Sequence, residues 1–397
     1  MHIRSRKKRI FAWILNIILY IVTLPFRLIG YPGQSISKEP RSILIARLDH
    51  IGDLILSTPI YHSLKDKFPD TSITVLCGSW SAEILRENPY VDSIMIIDCP
   101  WWSSIRGDED KPIDFIKIIY KTIRAIKYQK FDVFIDLRGD IRHIFFFGWL
   151  TGIPRRISYT RSGGAFLLSA PHLYEEGVHE IDRSYRLLSV FGPLNKFSKT
   201  EIYPDTKAIS NLKEKLIEKI DVGKDKYIVV FNGGRSNLRR LANQKVAAVC
   251  DALIGEYAVK CCYVGGEADH ESGEEVKKLS RSSASSFFNL CGHLNLTEVK
   301  LLIDSAILYI GTDSSVTHLS ASSDTSSISL FGPLNPREAA PFGINKRVIY
   351  HPYPCSPCLQ DICIITKSAE RSECMESISS EEIKDAALAI ISAHYKS

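Results

Sequence analysis

The chain has 397 residues, and at about 150 residues per domain that length points to two domains. Its composition, 45% hydrophobic and 24% charged, excludes a disordered chain and a polytopic membrane protein. The formal net charge of +5 sits largely in Arg4, Arg6, Lys7, Lys8 and Arg9, and the near-neutral remainder argues against nucleic acid as a partner.

That basic run leads into segment 10–24, in which only Asn16 and Thr23 are polar. No small-x-small cleavage site follows, which argues against a removed secretion signal. A spanning helix wants about 20 apolar residues, and Pro25 and Arg27 break the run early. An interfacial or re-entrant anchor on a membrane surface fits better; a helix packed on the protein's own surface is the alternative. Residues 1–40 therefore read as a membrane-associating leader and a Gly/Pro/Ser-rich linker.

After the linker, buried strands are expected at 42–46, 73–77, 93–97 and 133–136, separated by helices at 53–67, 81–88 and 113–127. Apolar strands without polar alternation, joined through helices, predict a parallel sheet covered on both faces. A break rich in Gly and Pro at 192–204 precedes a restart. Helix 211–220, strand 227–231, helix 243–256, strand 259–264, helix 297–305 and strands 308–310 and 327–331 follow, closed by an amphipathic helix at 381–394. The expectation is an α/β chain with Rossmann-like doubly wound domains at 41–200 and 201–397. Ligands of such sheets bind beyond the carboxyl ends of the strands, so the loops there should carry the chemistry.

Three loops have suitable residues. In the first, Arg47-Leu48-Asp49-His50-Ile51-Gly52-Asp53, Gly52 permits a close turn into a helix. Asp53 at the start of that helix is either an N-cap or a general base for an acceptor hydroxyl. The second, Asn232-Gly233-Gly234-Arg235-Ser236-Asn237-Leu238-Arg239-Arg240, combines free backbone N–H groups with guanidinium forks that match phosphate oxygens. It is neither a Walker loop nor a dinucleotide fingerprint, which disfavours an NAD-dependent oxidoreductase; solvated surface arginines are the other reading. In the third, Gly311-Thr312-Asp313-Ser314-Ser315-Val316-Thr317-His318, hydroxyls, a carboxylate and an imidazole follow a strand. Asp313 and Ser314 would cap a helix with or without a ligand, and His318 taken alone reads as a structural histidine.

In combination and order, these loops with Ser57-Thr58-Pro59, His318-Leu319 and Leu330-Phe331-Gly332-Pro333 plus Pro336 resemble the ADP-heptose:lipopolysaccharide heptosyltransferases, glycosyltransferase family nine. The resemblance runs from about Ser42 to the closing helix. It implies a GT-B fold, with two Rossmann-like domains facing across a cleft, the acceptor on the N-terminal half and the nucleotide-sugar on the C-terminal half. It also implies inverting, metal-independent transfer from an ADP-sugar to a lipid-linked glycan acceptor at the cytoplasmic face of the inner membrane, with no cofactor required. By this resemblance Asp53 is the catalytic base, with Arg47 and Gly52 on the acceptor side. Gly233, Gly234, Arg239, Arg240, Thr312, Asp313, Ser314 and His318 belong to the donor site, with Arg239 in the place of a phosphate-neutralising lysine. An acidic residue after Gly265-Gly266 often meets the ribose in this family; Glu267 and Asp269 compete, and Asp269 is carried forward as donor-binding. Ser315 in place of a glycine, Asp324-Thr325-Ser326 in place of Gly-Thr-Pro and Leu241-Ala242 in place of Trp-Pro depart from the family pattern and bear on sugar and base specificity. Transfer of another cell-surface sugar and a non-catalytic nucleotide-sugar-binding protein are the alternatives.

Ten cysteines complete the inventory. Those at 77, 99, 250, 261, 262 and 291 lie mostly in apolar runs and read as reduced core residues. Cys355, Cys358, Cys363 and Cys374 are spaced for either a structural metal site or independent thiols.

Overall fold

The computed structural model describes residues 6–28, 39–99, 101, 112–197, 199–216, 219–234, 236–341, 343, 345–358 and 360–394. Arg4, Arg235 and most of the expected linker lie outside the described residues. The chain forms two compact units, Met1–Phe197 and Ser198–Ser397, dividing within the Gly/Pro-rich break.

In the first unit, six parallel strands are laid down by buried apolar runs. They are β1 (Ser42–Arg47), β2 (Ser72–Cys77), β3 (Ser93–Ile96), β4 (Val133–Asp136), β5 (Arg155–Tyr159) and β6 (Ala170–His172), in the order β3-β2-β1-β4-β5-β6. Ile43, Leu44, Ile45 and Ala46 of β1 have no exposed surface, as expected for a central strand covered on both faces. The helices are α1 (Arg6–Leu28), α2 (Ile51–Lys67), α3 (Pro112–Gln129) and α4 (Glu180–Leu188).

Two departures from expectation have local causes. The helix expected at 81–88 is a single turn, Ala82–Leu85, because Asn88 bends the chain before Pro89 by accepting the Tyr90 N–H at 3.0 Å. Strand β5 was not expected, since it opens with two arginines. They are buried nonetheless, because Arg156 donates to the Leu167 carbonyl at 2.6 Å and to that of Ile153, so its polar head is paired with backbone.

Helix α1 divides its apolar surface. One strip packs on the unit, Leu19 joining Ile141, Ile144, Trp149 and Leu167. Asn16, polar in an apolar run, is the clasp: its amide donates to the Ser162 carbonyl at 2.7 Å and accepts the Gly164 N–H at 2.8 Å. Gly163 permits the approach, since a Cβ there would lie 2.1 Å from the Asn16 side chain. The opposite strip is exposed, with Phe11 at 61% and Ile21 at 63%. By length and composition alone, residues 9–28 are long and apolar enough to cross a membrane.

The second unit repeats the architecture with β7 (Tyr227–Phe231), β8 (Lys260–Tyr263), β9 (Phe287–Asn289), β10 (Leu308–Thr312), β11 (Ser327–Phe331) and β12 (Lys346–Tyr350), in the order β12-β11-β10-β7-β8-β9. Its helices are α5 (Thr206–Leu216), α6 (Asn243–Tyr257), α7 (His270–Leu279), α8 (Leu296–Asp304), α9 (Ser315–Ala321) and α10 (Ser380–His394). Helix α5 starts earlier than the expected 211 because the Asp205 carboxylate accepts the Lys207 N–H at 2.9 Å. Ile383, Ala386, Ala387 and Ile391 of α10 pack into the same core as Val246, Cys250 and Leu253 of α6. In both sheets the strand order reverses beside the first strand, between β1 and β4 and between β7 and β10. Such a switch point opens a crevice at the carboxyl ends of the strands.

Candidate active site

At the switch point of the first unit, the β1 loop leads into α2. The N-cap of α2 is His50, without a side-chain cap bond; Asp53 is the third helical residue, so the N-cap reading of Asp53 falls. Its carboxylate is free for other work. Arg47 is the organiser. With only 1% of its side chain exposed, it donates to the Leu137 carbonyl at 3.1 Å, the Asp53 carbonyl at 3.1 Å and Glu180 Oε1 at 2.7 Å. A guanidinium so buried and so engaged with the backbone and Glu180 holds the β1 loop, α2 and α4 in register around Asp53. Gly52 is likewise buried in the first turn of α2.

Three carboxylates share these cations unequally. Asp49 pairs with Arg47 at 3.3 Å and with Arg138 at 2.6 Å. Glu180 pairs with Arg47 at 2.7 Å and with Arg183. Among the described residues, Asp53 is paired with Arg47 alone, at 3.6 Å. Burial pushes the Asp49 carboxyl up, but Arg47 and Arg138 outweigh it and hold the group well below the usual carboxylate range. Asp53 goes the other way: burial and the Asp49 charge push it up to about 7. Its side chain is 31% exposed, open enough to meet a ligand. A half-open carboxyl that titrates near neutrality is matched to general-base work.

At the switch point of the second unit, three loops are tied together. The Thr312 hydroxyl donates to the Gly233 carbonyl at 3.1 Å, joining the ends of β7 and β10. Arg239 pairs with Asp313 at 3.3 Å, and Arg240 with Asp269 at 3.0 Å. Gly233 leaves room for the Asp269 carboxylate, since a Cβ would lie 2.6 Å from one of its oxygens; Gly234 adopts φ +120°, which favours glycine. Ser314 caps α9 by accepting the Thr317 N–H, and His318 is buried in that helix. Burial pushes the Asp313 carboxyl up, and Arg239 pulls it part of the way back. Both oxygens of Asp269 are used within the protein, one by Arg240 and the other by the Gly266 N–H at 3.1 Å. Its neighbour Glu267 is exposed.

Cys355, Cys358, Cys363 and Cys374 line one cavity of about 70 Å³ with Leu238, Pro333 and Tyr353. Among the described residues, however, no group of three or more His, Cys, Asp or Glu side chains is arranged to hold a metal ion. As to the two readings of this cluster, these positions do not form a metal-holding group, and all four cysteines are free. The six scattered cysteines are all buried.

The structure thus gathers Asp53, Gly52 and Arg47 at one switch point and Gly233, Gly234, Arg239, Arg240, Asp269, Thr312, Asp313, Ser314 and His318 around the other. Sequence reasoning missed Arg138 and Glu180, which pair with Asp49 and Arg47 beside Asp53. The signal available was the position of Arg138 directly after the buried strand β4.

The chain matches glycosyltransferase family 9 (heptosyltransferase) over residues 119–369. It is 29% identical over 299 residues to lipopolysaccharide heptosyltransferase 3 of Escherichia coli (strain K12), covering 71% of this chain and 79% of that protein. Its fold is similar to that of E. coli ADP-heptose lps heptosyltransferase II, with TM-score 0.72 and 17% identity over 89% of this chain and 99% of the other. The E. coli heptosyltransferase WaaC solved with ADP has TM-score 0.64 and 14% identity, covering 88% and 99%. With the family match spanning most of the chain and the two parallel-sheet α/β units having GT-B counterparts, the chain belongs to glycosyltransferase family 9, the heptosyltransferase family, and is a glycosyltransferase of GT-B fold.

Proposed function

We propose that the chain transfers a heptose from an ADP-sugar to a lipopolysaccharide core-type acceptor, inverting the anomeric carbon without a metal. The observation that carries this reading is the Asp53 carboxyl, half-open beside the β1–β4 switch point and raised to about 7. Asp53 removes the proton of an acceptor hydroxyl as its oxygen attacks the anomeric carbon. The bond from that carbon to the diphosphate breaks, and its electron pair leaves with ADP. Arg239 and Arg240 meet the charge that develops on the departing diphosphate, with Gly233 and Gly234 giving the phosphates close approach to the backbone. Thr312, Ser314 and His318 complete the donor loop. Because Asp269 is occupied in holding Arg240, exposed Glu267 is the better placed of the two acids for the ribose. The heptose and its acceptor are taken from the lipopolysaccharide heptosyltransferase relative, the ADP from WaaC. Ser315, Asp324-Thr325-Ser326 and Leu241-Ala242 favour, as a second reading, a different sugar on the same nucleotide.

A panel of nucleotide-sugars tested for protection against thermal unfolding separates these readings. At a hundredfold excess over its Kd, a ligand that binds only the folded state stabilises it by about 2.7 kcal/mol. ADP-heptose should give this protection; protection by another ADP-sugar and none by ADP-heptose would select the second reading.

The raised Asp53 carboxyl also sets a pH dependence. A group raised in the fold is protonated below its folded value and ionised above it, and a base acts only when ionised. Hence kcat/KM should rise with pH through about 7 as a single ionisation and be lost as pH falls through it. A profile flat from pH ~5 to ~8, across the range between an ordinary carboxylate and this one, would remove Asp53 as the base.

The same reading puts the enzyme on the cytoplasmic face of the inner membrane. The exposed strip of α1, behind a basic start, supports an interfacial anchor: Asn16 and Leu19 hold the other strip against the first unit, as suits a helix lying along the surface.

A further inference from the structure

Helix α3 presents a second surface of unusual composition. Its inner side is core: Ile119 and Ile126 are buried with Leu44, Phe134 and Phe147. Its outer side carries Ile116 at 69% exposure, Tyr120 at 58% and Tyr128 at 88%. Between them stand Lys117, Lys121, Arg124 and Lys127, with Lys130 just beyond, all exposed. The one acidic residue in the sequence of α3 is Asp114 in its first turn, and none occurs from 115 to 131. The next one, Asp132, is occupied by the backbone N–H groups of Arg41 and Ser42 at 2.7 and 3.2 Å. The Arg124 guanidinium lies over the Tyr120 ring at 5.9 Å.

A basic surface helix is ordinarily a solvated face, and exposed lysines alone would say no more. Here large apolar and aromatic side chains are interleaved with the cations, the pattern of a helix at a lipid–water boundary: cations meet headgroup phosphates, and tyrosine rings sit at headgroup level with their hydroxyls in water. Its place in the unit adds a second argument. The segment 141–149 packs against α1 through Ile144 and Trp149 and against α3 through Phe146 and Phe147, so α1 and α3 flank the same segment.

We propose that the outer face of α3 docks on anionic phospholipid headgroups, giving the first unit a second membrane contact beside α1. The proposal rests on the reading of α1 as an interfacial anchor. The two contacts divide the labour: α1 supplies apolar insertion with a basic start, and α3 supplies most of the selectivity for anionic lipid. It also orients the unit, since two contacts held at one surface leave less freedom to roll than one.

The test is sedimentation of the full chain with vesicles of phosphatidylcholine alone and of phosphatidylcholine mixed with phosphatidylglycerol. The variants are Lys117→Gln/Lys121→Gln/Arg124→Gln/Lys127→Gln on α3 and Phe11→Ser/Ile21→Ser on the free strip of α1. Each cation near an anionic surface contributes about fivefold in partitioning at low salt, so the α3 variant should lose on the order of a hundredfold or more of the binding to mixed vesicles. Its binding to neutral vesicles should stay at the wild-type level, as should its thermal unfolding. The α1 variant should lose binding to both kinds of vesicle. An α3 variant with the wild-type preference for mixed vesicles overturns the α3 proposal, as does wild-type α3 binding equally to a nucleic acid or a soluble acidic protein. An α1 variant that binds neutral vesicles like wild type overturns the anchor reading instead, whatever α3 does.

Discussion

Asp53→Asn is expected to lower kcat by about 10²–10⁴, the range of general acid–base contributions, while ADP-sugar binding stays close to wild type. The amide keeps the size of the carboxylate but cannot take a proton. Its effect on stability should have the opposite sign. Asp53 is raised in the fold by burial and by the Asp49 charge; its ionisation therefore opposes folding, and the stability it costs is lost as pH rises through about 7. The cost grows as pH rises from about 4, the ordinary carboxylate value, and is complete above about 7, so the Asn variant should unfold at a higher temperature than wild type above pH ~7 and the two should converge only below pH ~4. A residue kept for structure would not behave this way, because its replacement would destabilise. Loss of activity with a gain of stability is the signature of a group held in an unfavourable environment for catalysis. Scanning calorimetry across pH, beside steady-state kinetics, reads both effects.

The second large effect is expected at Arg239. Removing one preorganised donor from a developing oxyanion typically costs 10²–10³ in kcat, and Arg239→Ala should fall in about that range. It also strips Asp313 of its paired guanidinium at 3.3 Å, leaving a buried carboxyl pushed up further. Donor KM should therefore rise as well. Arg239→Lys restores the charge, and by the family pattern a lysine serves at this position. It should recover activity to within about tenfold of wild type, a deficit of about 1.4 kcal/mol. If Lys fails as badly as Ala, the role of Arg239 is the planar pairing with Asp313 and not charge at the diphosphate. Single-turnover kinetics separate the chemical step from donor binding in both variants.

How much of this could be read from the sequence follows from the range of the interactions involved. Central strands such as β1 and β7 are legible because burial on both faces forces an unbroken apolar run. The donor loops are legible because Gly233, Gly234, Arg239 and Arg240 are neighbours in the chain. Strands β5 and β12 are not: β5 opens with Arg155 and Arg156, and β12 begins with Lys346, whose ammonium donates to the carbonyls of Ser320, Ser323 and Thr325. Backbone carbonyls that the fold brings up satisfy these cations, and no apolar pattern announces the strands. The same holds for the active site. Asp53 is marked by its motif, but its charge state is decided by burial and the neighbouring Asp49 charge, in a cluster that the fold completes with Arg138 from the loop after β4 and Glu180 from α4. Asn16 likewise looks like a blemish in an apolar run until the 162–164 turn is placed against it.

The configuration of the transferred sugar tests the central claim most directly. Incubated with ADP-heptose and a lipopolysaccharide core acceptor, the full chain should release ADP and form a product whose new glycosidic bond, read by NMR, has the opposite anomeric configuration to the donor. Retention of configuration, or donor consumption without transfer, would contradict a single displacement with Asp53 as the base.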